Sequence, residues 1–180
     1  MDAQPCVAAA APKAGAPLNT TLGRRDLVNS VRDSHRMVPL ILAATCAGLF
    51  AGAAIYINAV EHPARMSCGT EIAVREFAPS YRRATVMQAS LAVVGCVTGL
   101  SSAWIRADIW LALAAVLLGL VVPFTLVVIL PTNTRLLDPT LDAHSQVATQ
   151  LLVRWGRLHA VRSVLSGCSF MVFLVRLAVS

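Results

Sequence analysis

Apolar residues fill four long stretches of the chain, and each stretch is flanked by polar residues. The stretches cover about residues 37–60, 84–105, 109–130 and 158–179. Each meets the length of about 20 residues that a helix needs to cross the hydrocarbon core of a bilayer. Because lipid offers no water to satisfy backbone groups, the stretches are predicted to be helices. The predicted fold class is an all-α membrane protein, a four-transmembrane-helix up-down bundle with short extra helices in the two loops on one face.

The connections between the stretches are unequal. Two long connections, residues 61–83 and 131–156, lie on one side, and each is predicted to hold a short helix, at about 71–77 and 141–153. The opposite side has only the turn at 106–108. Pro63 is predicted to close the first membrane helix, and Pro123 to kink the third. One face of the bundle is therefore elaborated and the other is minimal.

The polar residues crowd onto the elaborated face. In an up-down bundle, the end of helix one, the start of helix two, the end of helix three and the start of helix four lie on the same side. A charge near the bilayer centre costs about 2.5–3.5 kcal/mol, so such side chains need partners or a wet cavity. We therefore predict one pocket at this face, built from Asn58, Glu61, His62, Tyr81, Arg82, Gln88, Asn133, Trp155, His159 and Arg162.

Composition agrees with a membrane protein and sets the domain organisation. Of the 180 residues, 57% are hydrophobic and 13% are charged, which excludes an ordinary soluble domain. The net charge of +6 comes mainly from basic residues that flank the spans, so it indicates lipid headgroups and no nucleic acid. Residues 1–36 are predicted to form a basic N-terminal segment, disordered up to about residue 17, and residues 37–180 the membrane domain. Residues 18–36 could instead form an interfacial helix.

The two histidines at the predicted pocket have two chemical interpretations. Imidazole titrates near neutral pH, so His62 or His159 could act as a general base. Alternatively, Glu61, His62 and His159 could supply a metal with two histidines and one carboxylate. Neighbouring residues on a helix point about 100° apart, so joint ligation by Glu61 and His62 requires an unwound helix end. Trp155 has an alternative role too, as part of an interfacial aromatic belt.

Several blocks of sequence around these residues resemble one known family. The blocks are Glu61-His62-Pro63-Ala64-Arg65, residues 79–88 (PSYRRATVMQ), Pro123-Phe124-Thr125, Pro131-Thr132-Asn133, Leu136-Leu137 and residues 155–162 (WGRLHAVR). In this order, from about Val38 to the C-terminus, they resemble the anthrone oxygenase-like membrane family, typified by emodin anthrone oxygenases.

The resemblance implies an enzyme: a monooxygenase of polyketide-derived secondary metabolism that converts an anthrone to the anthraquinone with O2 during anthraquinone biosynthesis. It implies that O2 is the co-substrate and that flavin, haem and nicotinamide are not used. The implied partners are a small polycyclic aromatic substrate, O2 and the lipid bilayer, with oligomerisation left open. The implied location is the endoplasmic reticulum or a related endomembrane of a fungal-type cell.

The chemistry of an anthrone suggests a role for each candidate residue. Its CH2 group is acidic, and its anion can reduce O2 directly, so the site must supply a base and partners for an oxyanion. We predict catalytic roles for His62, His159, Arg162 and Glu61. We predict that substrate is bound by Asn58, Tyr81, Arg82, Gln88, Asn133 and Trp155. Two alternatives remain: a non-catalytic four-span protein that binds a lipid or polyketide, and a metal-dependent form of the oxygenase.

Overall fold

The computed structural model describes residues 20–180, which form helices joined by short turns. The α-helices are α1 (Thr20–Tyr56), α2 (His62–Ser67), α3 (Thr70–Arg106), α4 (Ile109–Phe124), α5 (Leu130–Leu136) and α6 (Gln146–Ala178). A first π-helical turn, Ile57–Glu61, joins α1 to α2, and a second, Thr125–Ile129, joins α4 to α5. Residues 20–180 contain no strand, which confirms the predicted all-α class.

In the described part of the chain, four continuous helical segments are long and apolar enough to cross a membrane: Asp26–Ser67, Thr70–Arg106, Ile109–Leu136 and Gln146–Ala178. They form the four-helix bundle that the hydropathy pattern predicts. Residues 34–180 form one compact unit, and the described residues before Ser34, 20–33, are assigned to a separate one. The disorder predicted for residues 1–17 lies outside the described residues, whereas the chain from Thr20 to residue 36 is helical. The domain boundary at residue 36 stays a prediction.

The membrane helices extend further on the elaborated face than predicted. The prediction that Pro63 closes the first helix is wrong, because the helix continues through Pro63 to Ser67, with the first π-helical turn directly before it. The first break comes at Gly69, whose φ of 96° favours glycine. The short helix predicted at 71–77 is instead part of α3. The helix predicted at 141–153 begins only at Gln146, as the start of α6.

Small residues let the helices pack closely. A Cβ atom added to Gly95 would lie 2.6 Å from Leu118, and one added to Gly99 would lie 2.7 Å from Phe173. Close contact of this kind holds helices together in lipid, where the hydrophobic effect does not. A Cβ atom added to Gly52, in contrast, would have nothing within 4 Å.

On the minimal face of the bundle, a helix cap and an ion pair hold two helices together. Asp108 caps α4 by accepting a hydrogen bond from the Trp110 backbone N–H at 3.0 Å. Its other carboxylate oxygen accepts hydrogen bonds from Nε and Nη2 of Arg176, at 2.7 and 2.5 Å. This ion pair, in which two guanidinium nitrogens share one oxygen, ties the start of α4 to the end of α6. Near the opposite face, a cluster of apolar side chains that includes Phe77, Leu152 and Trp155 supports the polar residues described next.

Candidate functional site

The polar ends of three of the four spans meet around one small cavity, whereas the third span contributes no residue to its wall. The first span contributes Ile57, Glu61 and Arg65, α3 contributes Phe77, Ser80, Tyr81, Ala84, Thr85 and Gln88, and α6 contributes Trp155, His159 and Arg162. We call this space the central cavity. Six of the ten predicted site residues line it: Glu61, Tyr81, Gln88, Trp155, His159 and Arg162.

His159 is held in one orientation by Asn58. The Asn58 Nδ2 group donates to the Gly156 carbonyl at 3.1 Å, which leaves Oδ1 facing the imidazole Nδ1, with which it forms a short hydrogen bond. Because Oδ1 only accepts, Nδ1 must carry the proton, and in a neutral ring Nε2 then carries the lone pair. Nε2 has no hydrogen-bond partner among residues 20–180. His159 is 1% exposed and lines the cavity, and an unpaired imidazole nitrogen of this kind is able to accept a proton.

Arg162 lies one turn deeper, beside Gln88. Its Nη2 group donates to Gln88 Oε1 at 2.6 Å, and its guanidinium lies 5.4 Å from the centroid of the Phe50 ring. No carboxylate of the described chain pairs with Arg162. Arg162 Nε and Gln88 Nε2 are both buried without a hydrogen-bond partner. A buried donor left unpaired costs about 1–3 kcal/mol, so these two donors would gain from pairing with a ligand oxygen.

Glu61 and Arg65 form a second charged group on the cavity wall. Glu61 Oε1 accepts from Arg65 Nη2 in a short ion pair and from Ser80 Oγ at 3.0 Å. Arg65 also donates to Ser80 Oγ at 3.3 Å and has Glu76 Oε2 3.6 Å from its Nε. The Arg65 side chain is 2% exposed, whereas that of Glu61 is 25% exposed. Arg65 is thus a buried, compensated cation, unlike Arg162.

Aromatic rings form the remaining wall. The Trp155 indole lies 4.8 Å from the His159 ring and meets Phe77 edge-on at 5.5 Å, and Phe77 stacks on Tyr81 at 5.6 Å. Trp155 is 7% exposed, so it is a buried wall residue and not a member of an aromatic belt. This part of the cavity wall is therefore flat and largely apolar.

The other predicted residues lie outside the central cavity. His62 packs against Trp155 at 5.3 Å, and its Nε2 lies 2.6 Å from the position a Cβ on Gly156 would take. Arg82 is exposed, and Asn133 is buried on α5 with neither amide atom hydrogen bonded. Asn58 does not line the cavity, but it is hydrogen bonded to His159, which does.

These residues do not form a three-ligand metal site. Within residues 20–180, no three side chains of histidine, cysteine, aspartate or glutamate come together as metal ligands would. The Glu61 carboxylate faces Arg65 and Ser80, while the His62 ring packs on Gly156. The ligand set considered from the sequence is therefore not assembled in this conformation.

A family comparison places this geometry in context. The family model described as "Anthrone oxygenase" matches residues 77–172, just over half of the chain. The chain belongs to the anthrone oxygenase family. No curated protein and no solved structure matches the chain.

This member of the anthrone oxygenase family has its central pair, His159 and Arg162, inside the matched region, together with Gln88. Asn58, Glu61 and Arg65 precede that region and belong to the first span, although the sequence resemblance extends to them. The family and the four apolar spans support a membrane protein with a related oxygenase function.

The first π-helical turn explains how the first span reaches the site. It contains both Asn58 and Glu61, and it directs them to His159 and to Ser80 respectively. Such turns insert an extra residue into a helix and occur frequently at functional sites. A helical period of 3.6 residues does not predict this displacement, so nothing in the pattern of residues indicated it.

Six residues of the cavity wall were not predicted, among them Arg65, Ser80 and Phe77. The spacing of Glu61 and Arg65, four residues apart, was a usable signal for an ion pair on one helix. Ser80 carried no comparable signal, because its contact with Glu61 spans 19 residues and two helices. Phe77 was visible only as an apolar residue in a predicted loop helix.

Proposed function

We propose that this protein is a membrane-bound anthrone oxygenase that converts a polyketide-derived anthrone, of the emodin anthrone type, to the anthraquinone with O2. The observation that carries the proposal is the pair formed by His159, a cavity residue whose Nδ1 is held by Asn58 and whose Nε2 is unpaired, and Arg162, a cation with no carboxylate partner among the described residues. The family supports the reaction class.

The first step is removal of a proton from the anthrone CH2 group by His159 Nε2. The electron pair of the broken C–H bond passes into the rings and onto the carbonyl oxygen, which becomes an oxyanion. Asn58 keeps the accepting nitrogen directed at the substrate, because its Oδ1 holds the proton of Nδ1. Arg162 Nε and Gln88 Nε2 are the free donors that would receive the developing negative charge.

The anion then reacts with O2 without a resident redox cofactor. One electron passes from the anion to O2, and the two radicals combine to form a carbon–oxygen bond. The proton held by His159 protonates the peroxide. His159 then removes the second hydrogen from the same carbon, the O–O bond breaks, and hydroxide leaves as water after protonation. One oxygen atom becomes the new quinone carbonyl, and the other becomes water.

In this proposal Glu61 does not act as the base, which is His159. Its carboxylate is paired with Arg65 and borders the cavity, so it shapes the wall and balances the buried cation. Trp155 and Tyr81 would provide flat walls for the rings. Contacts between the wall residues and the ring substituents would select among anthrones.

The direct test measures consumption of emodin anthrone by protein in lipid nanodiscs under O2, with empty nanodiscs as the spontaneous control. The proposal predicts a rate above the control, and loss of that excess in His159→Phe. The matched variant His62→Phe, whose ring lies outside the cavity, should retain more of the excess. A wild-type rate equal to the control with several anthrones would instead favour a non-catalytic protein that binds a lipid or polyketide.

A further inference from the structure

We propose that a groove on the side of the bundle is the docking site from which the substrate enters the central cavity. This lateral groove runs between the first span and α3, and its lining includes Ala53, Tyr56, Met87, Glu76 and Arg83. The inference rests on the proposed function, because its ligand is the proposed substrate class: a planar polycyclic phenol.

The volume of the central cavity makes a separate docking site necessary. The cavity has a volume of about 20 Å³, which is room for about one water molecule. The lateral groove has a volume of about 490 Å³. Sites for small organic molecules typically measure about 300–1,000 Å³, so the groove accommodates such a molecule, and the closed cavity does not.

A thin shared wall separates the two spaces. Ile57, Glu61, Ser80 and Ala84 line both the cavity and the groove. Across this wall, Ser80 Oγ donates to Glu61 Oε1 at 3.0 Å, linking the first π-helical turn to α3. Separation of these two side chains would join the groove to the cavity without any change in the helix order.

The chemistry of the groove suits a flat phenol. Tyr56 and Met87 are 57% and 47% exposed and offer apolar surface for rings. Arg83 and Glu76, both exposed, provide charged partners for phenolic oxygens. A planar aromatic molecule dissolved in the bilayer would therefore find both apolar and polar contacts there.

A second opening to the site is smaller and lacks these polar groups. An apolar cleft between α3 and α4, lined in part by Ala89, Val122 and Leu126, has a volume of about 80 Å³ and reaches Gln88 and Arg162 from the other side. Ala89 offers a matched control, because it lies on α3, as Arg83 and Met87 of the groove do, but it lines the cleft and not the groove.

The first experiment measures protection from chemical labelling without turnover. Arg83→Cys places a thiol in the groove, and Arg75→Cys places one on the same helix at a residue that is 77% exposed and lines neither space. Each variant in nanodiscs is treated with maleimide in the presence of emodin, the proposed product, and labelling is read by peptide mass spectrometry. We expect emodin to slow labelling of Arg83→Cys about tenfold, as expected for a site that is mostly occupied, and to leave Arg75→Cys unchanged.

The second experiment blocks each route. Ala53→Trp fills the groove and Ala89→Trp fills the cleft. We expect Ala53→Trp to lower kcat/KM for the anthrone about tenfold, mainly through KM, and Ala89→Trp to change it less than about twofold. The reverse ranking would overturn the inference and assign entry to the cleft.

The outcomes separate this inference from the proposed function. Turnover without protection of Arg83→Cys would overturn the groove as the docking site and leave the enzymatic proposal standing. Protection without turnover above the spontaneous control would support the groove as a binding site and contradict the oxygenase. Because labelling needs no activity, a poorly folded Ala53→Trp variant would not prevent the test.

Discussion

The contact between Asn58 and His159 gives the sharpest single prediction. Asn58→Leu keeps a similar side-chain size but removes the acceptor of the Nδ1 proton and the donor to the Gly156 carbonyl. The loss leaves a buried N–H unpaired, at a cost of about 1–3 kcal/mol. If that energy is lost from the transition state, kcat falls about 5- to 150-fold, since 1.36 kcal/mol corresponds to tenfold.

The assay is steady-state consumption of emodin anthrone in nanodiscs, corrected for the spontaneous rate. Because Asn58 lies outside the cavity wall, kcat and kcat/KM should fall together while KM stays nearly constant. Ser163→Ala is the matched control: Ser163 Oγ donates to the same Asn58 oxygen, but at 3.3 Å, so we expect a change of less than about threefold. A folded Asn58→Leu protein with the wild-type kcat would refute the assigned orientation of His159.

Three further predictions test the surroundings of the site. Gly156→Ala should displace the His62 ring, since the new Cβ would lie 2.6 Å from Nε2, and should destabilise the protein by about 1–3 kcal/mol in thermal unfolding. Gly167→Ala on the same helix, with nothing within 4 Å, should not destabilise it. Arg162→Met should lower kcat by about 10²–10³, as loss of an oxyanion donor does, whereas exposed Arg157→Met should not. Dialysis against a chelator should leave turnover unchanged; loss that Fe(II) restores would favour the metal-dependent alternative.

Hydropathy was sufficient to predict the four spans and the face at which their polar ends meet. The length of the helices was harder to predict, because Pro63 and Pro131 both lie in first turns, where proline is tolerated. The connection predicted at residues 61–83 is consequently almost entirely helical, with its break at Gly69.

The site was predictable as a set of polar residues, but their individual positions were not. Gln88, His159 and Arg162 lie on helices whose period directs them inward, so their meeting followed from spacing and topology. Asn58 reaches His159 from the first π-helical turn, which breaks that period. The contacts that each side chain makes also decide whether it reaches the cavity. His62 and His159 looked equivalent in the sequence, yet of these two only His159 lines the cavity.

The central claim is that His159 removes a proton from the anthrone CH2 group, and this step can be measured without O2. Under strict anaerobiosis in D2O, mass spectrometry follows exchange of the CH2 hydrogens of emodin anthrone in wild-type, His159→Phe and empty nanodiscs. We predict that the wild-type protein accelerates exchange above the empty-nanodisc rate and that His159→Phe returns it to that rate. Equal exchange in all three samples, from a protein that still turns over under O2, would contradict the account.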